Sequence, residues 1–551
     1  VTSADRGLAM AKDRPSVLQP LQHGTFRNIW VANLVSSFGA LIQGVGAAWM
    51  MTALTNSVDL VALVQASTSL PIMLFSLLGG AIADNFPRRR VMLVAQFFML
   101  AVSALLTITA LLGLITPWLL LTFTFLIGCG TALNNPSWQA SVGDLVPRSS
   151  VGSAVALNSI GFNLSRSLGP AVGGIIVAVA GAAAAFAVNL VSYLGLLVVL
   201  LRWKPAPAPA GLPREAVGAA MFAGVRYMAL SPQMGKVLVR SFIFGLTASS
   251  VLALLPVVAS QIPGGGPLVY GLLLGAFGLG AVGGALISAR LAEQFSSEAI
   301  VRLAFIGFAI CAATTGLSPS PWLTGVALLI GGACWVLALT LFNVTVQLST
   351  PRWVVGRSLS LYQTATFAGL AGGSWLWGVA GEQFGVSNAL LASAVALVVG
   401  AAVGLVLSIP PRVMLDLDPA NRWQEPQITL PIEPRSGPIV ISIEYRIRPQ
   451  DVREFLRVMA DRKRVRMRDG AREWVLRRDL SETDVWVESY KSPTWTEYAR
   501  HNQRLTHADE VIGEKLRNLH QGSERPVVRR MIERPPNWFA AIAANRTIDP
   551  P

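Results

Sequence analysis

The strongest constraint on this chain is a recurring length. About twenty apolar residues coiled as a helix span the hydrocarbon core of a bilayer, and twelve such runs precede Arg412. They occupy residues 29–54, 60–83, 91–112, 117–140, 151–178 and 181–201, then 237–259, 267–289, 299–317, 321–346, 356–380 and 386–409. Of the 551 side chains 53% are hydrophobic and 13% charged, and mean hydropathy is +0.53. That composition excludes an ordinary soluble protein and indicates an all-α polytopic membrane protein. The first run begins near Ile29 and outlasts the short apolar stretch of a cleavable signal peptide, so residues 1–24 read as a cytoplasmic lead. Cys129, Cys311 and Cys334 lie scattered in apolar runs without metal or redox spacing and read as packing residues. No metal or cofactor is expected.

Basic residues occupy alternate connections: Arg88 to Arg90, Arg148, Arg202 with Lys204, Arg290 with Arg302, and Arg352 with Arg357. The other connections, such as TNSVDL and GLITPW, carry none, which places both termini in the cytoplasm. The proline- and alanine-rich connection RWKPAPAPAGLPREA divides the runs six and six and reads as a semi-rigid linker. A constant offset of 204 residues relates Gly79 and Gly80 to Gly283 and Gly284, Pro147 to Pro351, Gly152 to Gly356, and Gly169 to Gly373. Two six-helix pseudo-repeats joined in parallel are expected, each able to move as a body about a central site. The boundaries are then a first bundle at 25–203, a linker at 204–235, a second bundle at 236–411, a linker at 412–437, a charged domain at 438–535 and a tail at 536–551.

The second run ends in GGAIADNFPRRR, in which Gly80 permits close helix contact, Asp84 stands at the helix end, and Arg88, Arg89 and Arg90 open the next helix. Three arginines suit an anionic inner surface. With Asp84 they also suit a latch whose partners change between conformations. The pattern Gly80, Asp84, Arg88, Arg89 resembles the signature between helices two and three of the major facilitator superfamily, with Pro87 where that family usually has glycine. The resemblance covers roughly residues 25 to 410 and implies that the motif governs conformational change rather than contact with cargo.

A second stretch, NSIGFNLSRSLGPAVGG, places Asn158, Asn163 and Arg166 inside an apolar run. A charge within a span faces a partner or a wet cavity, so Arg166 is a functional candidate. Gly169, Pro170, Gly173 and Gly174 allow close helix packing and resemble the helix-five signature of exporter branches, which implies export. Further polar candidates are Asn33, Gln43, Gln65, Asn134, Asn343, Gln347 and Gln363; with Trp49, Trp138 and Phe367 they suit a small amphipathic solute, or alternatively serve as interhelical glue and packing. No phosphate-binding loop appears, so transport is expected to be secondary. Asp59, Asp84, Asp144, Glu293 and Glu382 all lie near run ends, so no central proton relay is legible, and proton antiport is implied by the resemblance alone.

From about Pro438 the periodicity changes to a βαββαβ order: PIVISIEYRIRP, a helix from DVREFLRVMADRKRVRMRD, strands REWVLRRDL and TDVWVESYK, two short helices, and PVVRRMIE. A cytoplasmic α+β domain of ferredoxin-like topology is expected. It resembles the dimeric α/β barrel modules related to antibiotic-biosynthesis monooxygenases, which implies self-association. His501, His507 and Asp509 are its candidate cluster, although two surface histidines are the commoner arrangement, and the arginines between Arg453 and Arg472 read as a solvated face rather than a nucleic-acid surface.

These readings converge on a twelve-helix exporter of the bacterial inner membrane, not an enzyme, whose partners are lipid, a small amphipathic solute and protons, with no nucleic acid. The resemblance extends to the transmembrane secretion effector group and implies siderophore or drug-like cargo. Two alternatives are an anchored sensor or scaffold whose tail binds a small ligand, and a tail acting as a monooxygenase on cargo.

Overall fold

A computed structural model describes residues 18–147, 150–204, 217–351, 353–409, 416–418, 420, 426, 428–521 and 525–534. The side chains at 84, 85, 152, 217, 220 and 232 lie outside that description, as do Arg148, Arg352, most of both linkers and the tail. The chain divides into two compact units. The first holds 1–221, 236–345 and 359–411, and the second gathers Phe222–Gly235, Val346–Ser358 and Arg412–Pro551.

The first unit is a helical bundle. Its helices are α1 (Gly24–Leu54), α2 (Val58–Asn85), α3 (Arg88–Leu111) and α4 (Pro117–Leu145), then Val151–Arg202. Gly181, with φ 78°, breaks that last segment into α5 (151–180) and α6 (182–202), a reversal that a residue without a Cβ makes cheaply. After α7 (Val217–Ala229) in the linker come α8 (Pro232–Gln261), α9 (Pro267–Gln294), α10 (Ser297–Leu317), α11 (Pro321–Leu348), α12 (Val355–Phe384) and α13 (Val386–Val403). Among the described residues ten helical segments are long and apolar enough to cross a bilayer. Dividing one at Gly181 and adding the thirty-residue α12 gives the expected twelve. Helix α7 lies within the expected linker 204–235 but after its proline- and alanine-rich stretch, of which residues 205–216 lie outside the described residues.

Lipid offers no hydrophobic drive between helices, so close packing of small residues holds them. The contacts repeat between the halves. A Cβ on Gly169 of α5 would lie 3.0 Å from Leu41 Cβ of α1, and one on Gly373 of α12 would collide with Leu246 of α8. Likewise a Cβ on Gly79 would lie 2.6 Å from the Ala132 carbonyl, and one on Gly284 2.6 Å from that of Ala333. Pro147 and Pro351 close equivalent turns, accepting from the amides of Ser150 and Val354. Two seams join the halves. Helix α5 meets α9 where a Cβ on Gly174 would lie 2.7 Å from Gly271 Cα, and α2 meets α12 where the Ser76 hydroxyl lies 2.9 Å from that of Thr364.

The second unit contains a four-stranded antiparallel sheet in the order β2-β3-β1-β4. Its strands are β1 (Ile439–Arg446), β2 (Arg472–Arg478), β3 (Val485–Ser492) and β4 (Val527–Ile532), and its helices α14 (Val452–Asp469), α15 (Trp495–Gln503) and α16 (His507–Leu519). Strand β3 inserted between β1 and β2 makes the split βαβ arrangement of the ferredoxin-like fold. The alternating burial of β1 sends Ile439, Ile441, Ile443 and Tyr445 into one core with Phe455, Met459, Tyr490 and Leu516. The Thr506 side chain and Asp509 form a capping box that starts α16. Tyr227 of α7 and Trp353 join this unit, stacked edge to face at 5.8 Å, with the Arg504 guanidinium 4.1 Å from the Trp353 ring and Arg468 5.2 Å from the Tyr227 ring.

Gly174→Val forces a side chain into the α5–α9 seam, so the detergent-solubilised protein is expected to lose about 1–3 kcal/mol of stability. Gly44→Val, where nothing lies within 4 Å, is the control and leaves the melting temperature within a degree or two.

Candidate transport seam and arginine-rich module

Arg166 stands on α5, one turn before the small residues that bring α5 against α9. Its guanidinium carbon lies 5.8 Å from the Phe277 ring of α9 and 5.7 Å from the Trp335 ring of α11. A Cβ on Gly278 would touch the Arg166 carbonyl at 2.6 Å, so the missing side chain on α9 is what admits this approach. Among the described residues no carboxylate pairs with Arg166. Arg166 is thus a cation inside an apolar helix, held against two aromatic faces contributed by the second half.

Other sequence candidates separate into two groups. Gln43 is buried and accepts from Asn189 Nδ2 at 2.6 Å, with Asn189 also bonded to Tyr193 at 3.2 Å. Asn134 is buried and accepts from Gln96 at 3.2 Å, while buried Trp138 donates Nε1 to Asn158 at 3.1 Å. These four residues are interhelical ties inside the first half. Asn163 donates back to the Ser159 carbonyl of its own helix. Half-buried Asn33, Gln65, Asn343, Gln363 and Phe367, exposed Gln347, and Trp49 stacked 6.4 Å from Tyr270 remain as candidates for a cavity wall. Pro170 and Gly173 lie in the α5 packing stripe, with a Cβ on Gly173 3.1 Å from Ile42 Cα.

The Asp84 side chain lies outside the described residues. A Cβ on Gly80 would lie 3.0 Å from the Ser360 hydroxyl of α12, so this glycine sits on the seam between halves. Arg88 pairs with Asp144 at 2.5 Å and donates to the Ala140 carbonyl, whereas Arg89 donates to the Leu200 and Leu201 carbonyls at the end of α6. Both are held by elements of the first half, and Arg90 is exposed. A pair that sequence reading passed over is Arg240 with Glu298: the arginine is fully buried, 3.3 Å from Glu298 Oε1, and donates to the Gly400 carbonyl. Its signal was an arginine inside the first turns of an apolar run.

In the second unit His501 is buried, not a surface histidine: its Nε2 lies 2.8 Å from Arg466 Nη1, and its ring is 5.6 Å from that of Tyr490. Burial, then the charges of Arg466, Arg462 and Arg504, hold its pKa well below 6.5, so it is neutral and accepts from Arg466. His507 is half-exposed beside Glu510, and Asp509 is engaged by its cap and by Arg468 at 2.9 Å. The three therefore serve separate local roles, and no metal-holding group of His, Cys, Asp and Glu occurs among the described residues. The arginine run is only half a solvated face. Arg453, Arg457 and Arg464 are exposed, but Arg462 and Arg466 continue the core stripe of Phe455 and Met459 and converge on the fully buried Glu488 at 3.5 and 3.6 Å. Tyr445 and Trp474 also donate to Glu488, each at 3.0 Å. Burial alone would raise the Glu488 carboxyl, but the two arginines and these donors reverse that and hold it below the usual range.

A twelve-helix bundle of two repeated halves meeting on glycine seams is a transporter of the major facilitator type. The chain belongs to the transmembrane secretion effector family, whose profile matches residues 15–536. It is 27% identical over 393 residues to the enterobactin exporter EntS of Shigella boydii serotype 4, covering 70% of this chain and 92% of that protein, and equally so to that of Escherichia coli O127:H6. Among solved structures it is similar to a bacterial homologue of the human lysosomal transporter Spinster, at TM-score 0.55 and 14% identity over 71% of this chain and 97% of that one. It is also similar to the nucleoside transporter NupG, at TM-score 0.56 and 11% identity over 70% and 98%. These structures establish the fold.

A base whose pKa is depressed on folding adds stability above its unfolded value that is lost as pH falls. The second unit is therefore expected to loosen below pH 6.5, and His501→Asn should remove the histidine share of that slope when unfolding midpoints are compared across pH. Glu488→Gln leaves buried Arg466 and partly buried Arg462 without their carboxylate and should cost about 3–5 kcal/mol, read as faster proteolysis within 439–534.

Proposed function

We propose that this protein exports small amphipathic molecules bearing an anionic group, by alternating access driven by proton antiport. The observation that carries the reading is Arg166, a cation without a carboxylate partner among the described residues, set against Phe277 and Trp335 where the halves meet. A guanidinium flanked by aromatic faces binds an acidic ring compound by charge and stacking together. Siderophores and acidic drug-like molecules belong to that class, and the enterobactin exporters share 27% of their residues with this chain over the matched region.

Alternating access is supported by the small-residue seams, since glycine surfaces separate without breaking a network of ion pairs. Proton coupling draws on Glu382 of α12, whose carboxylate accepts the Val58 amide of α2 at 2.5 Å beside Asp59. That hydrogen bond ties α2 to α12 across the two halves. Both termini are cytoplasmic in this reading, and Asp84 with Arg88 and Arg89 biases the conformational equilibrium.

Inverted membrane vesicles holding the intact protein are expected to accumulate a catecholate siderophore or an acidic dye when the interior is made acidic, and to stop when the gradient is collapsed. Arg166→Gln should cut initial uptake at least tenfold, and Asp84→Asn and Glu382→Gln should slow turnover while cargo still binds. Uptake indifferent to both the gradient and Arg166 refutes the reading.

A further inference from the structure

The helix–sheet core of the second unit is not filled. A cavity of about 290 Å3 lies between β1, β3 and β4 on one side and α14, α15 and α16 on the other. Its floor is apolar and aromatic, from Ile441, Ile443, Tyr445, Tyr490 and Tyr498. Its remaining wall is basic, with Arg462 and Arg466 from α14, Arg517 from α16, and Arg525 and Arg530 at β4. Among the described residues no carboxylate lines it.

Buried arginines are costly unless paired. Here Glu488 alone serves both Arg462 and Arg466, and it shares its oxygens with Tyr445 and Trp474. The three charged groups keep a net positive charge. The Nε atoms of Arg462 and Arg466 face Glu488 at 3.5 and 3.6 Å, ion pairs too long for either buried atom to complete a hydrogen bond. On the opposite helix Gly513 gives up helix propensity and leaves space, because a Cβ there would come no closer than 3.9 Å to Arg462. Arg530 donates Nε to the Tyr498 hydroxyl at 2.8 Å, which fixes it at the rim.

We propose that this cavity binds a small aromatic carboxylate, its ring against the tyrosine and isoleucine floor and its carboxylate on the arginine wall. The volume suits a one- or two-ring acid, and an arginine fork matches a carboxylate in two parallel hydrogen bonds. The inference does not rest on the transport reading, since every residue it uses belongs to 439–530.

Calorimetry on the detergent-solubilised full chain tests it with 2-naphthoate, the uncharged isostere 2-naphthamide, and inorganic phosphate. Naphthoate is expected to bind one site per chain at least tenfold more tightly than naphthamide, and phosphate to compete poorly. The rim double variant Arg517→Gln/Arg530→Gln should weaken naphthoate roughly tenfold and leave naphthamide unchanged. Gly513→Leu should abolish both. Equal affinity for acid and amide, displacement of naphthoate by an equal concentration of phosphate, or no naphthoate binding at millimolar concentration overturns the proposal. So does binding that persists at full strength in both variants, because it then arises in the membrane helices.

Discussion

A peptide group inside hydrocarbon has no water to bond, so each must find its partner within its own helix or lose several kcal/mol. The rest of the first unit follows from that requirement. Helices that satisfy themselves gain little from one another except shape, and close approach is obtained by removing side chains. The glycines of α5, α9 and α12 are therefore structural commitments: where Gly174 faces Gly271, backbone touches backbone. Seams of this kind resist separation weakly and register shifts strongly.

The second unit obeys a different rule. An amphipathic stripe on α14 selects its buried face from Phe455 through Met459. That stripe ends in Arg462 and Arg466 rather than in leucines, so the core carries charge where packing would stabilise it. Such a substitution of arginine for aliphatic bulk is expensive in a fold this small, and the cavity beside it adds to the cost.

The spans, the repeat and the βαββαβ order were legible because each rests on a period or a length that the sequence displays. The roles of individual polar residues were not. Gln43 and Asn134 look the same in the sequence as Gln65 or Gln363, yet the first two are locked in buried ties. A helix apolar on every face offers no stripe to say which side faces a neighbour, so orientation came only with the packing. His501 was misjudged for the opposite reason: α15 is short and polar, and its burial depends on Arg466 and Tyr490 arriving from other elements. Arg462 and Arg466 were recoverable, since their spacing continues that of Phe455 and Met459.

The single-residue reversal at Gly181 leaves α5 and α6 without slack between them. Helix α5 meets the α9 seam on one side of that turn, and α6 runs on from it to the carbonyls of Leu200 and Leu201 at its far end. Arg89 grips those carbonyls from the start of α3. The covalent turn at Gly181 and those two hydrogen bonds thus form a continuous connection from the helix that carries Arg166 to the start of α3.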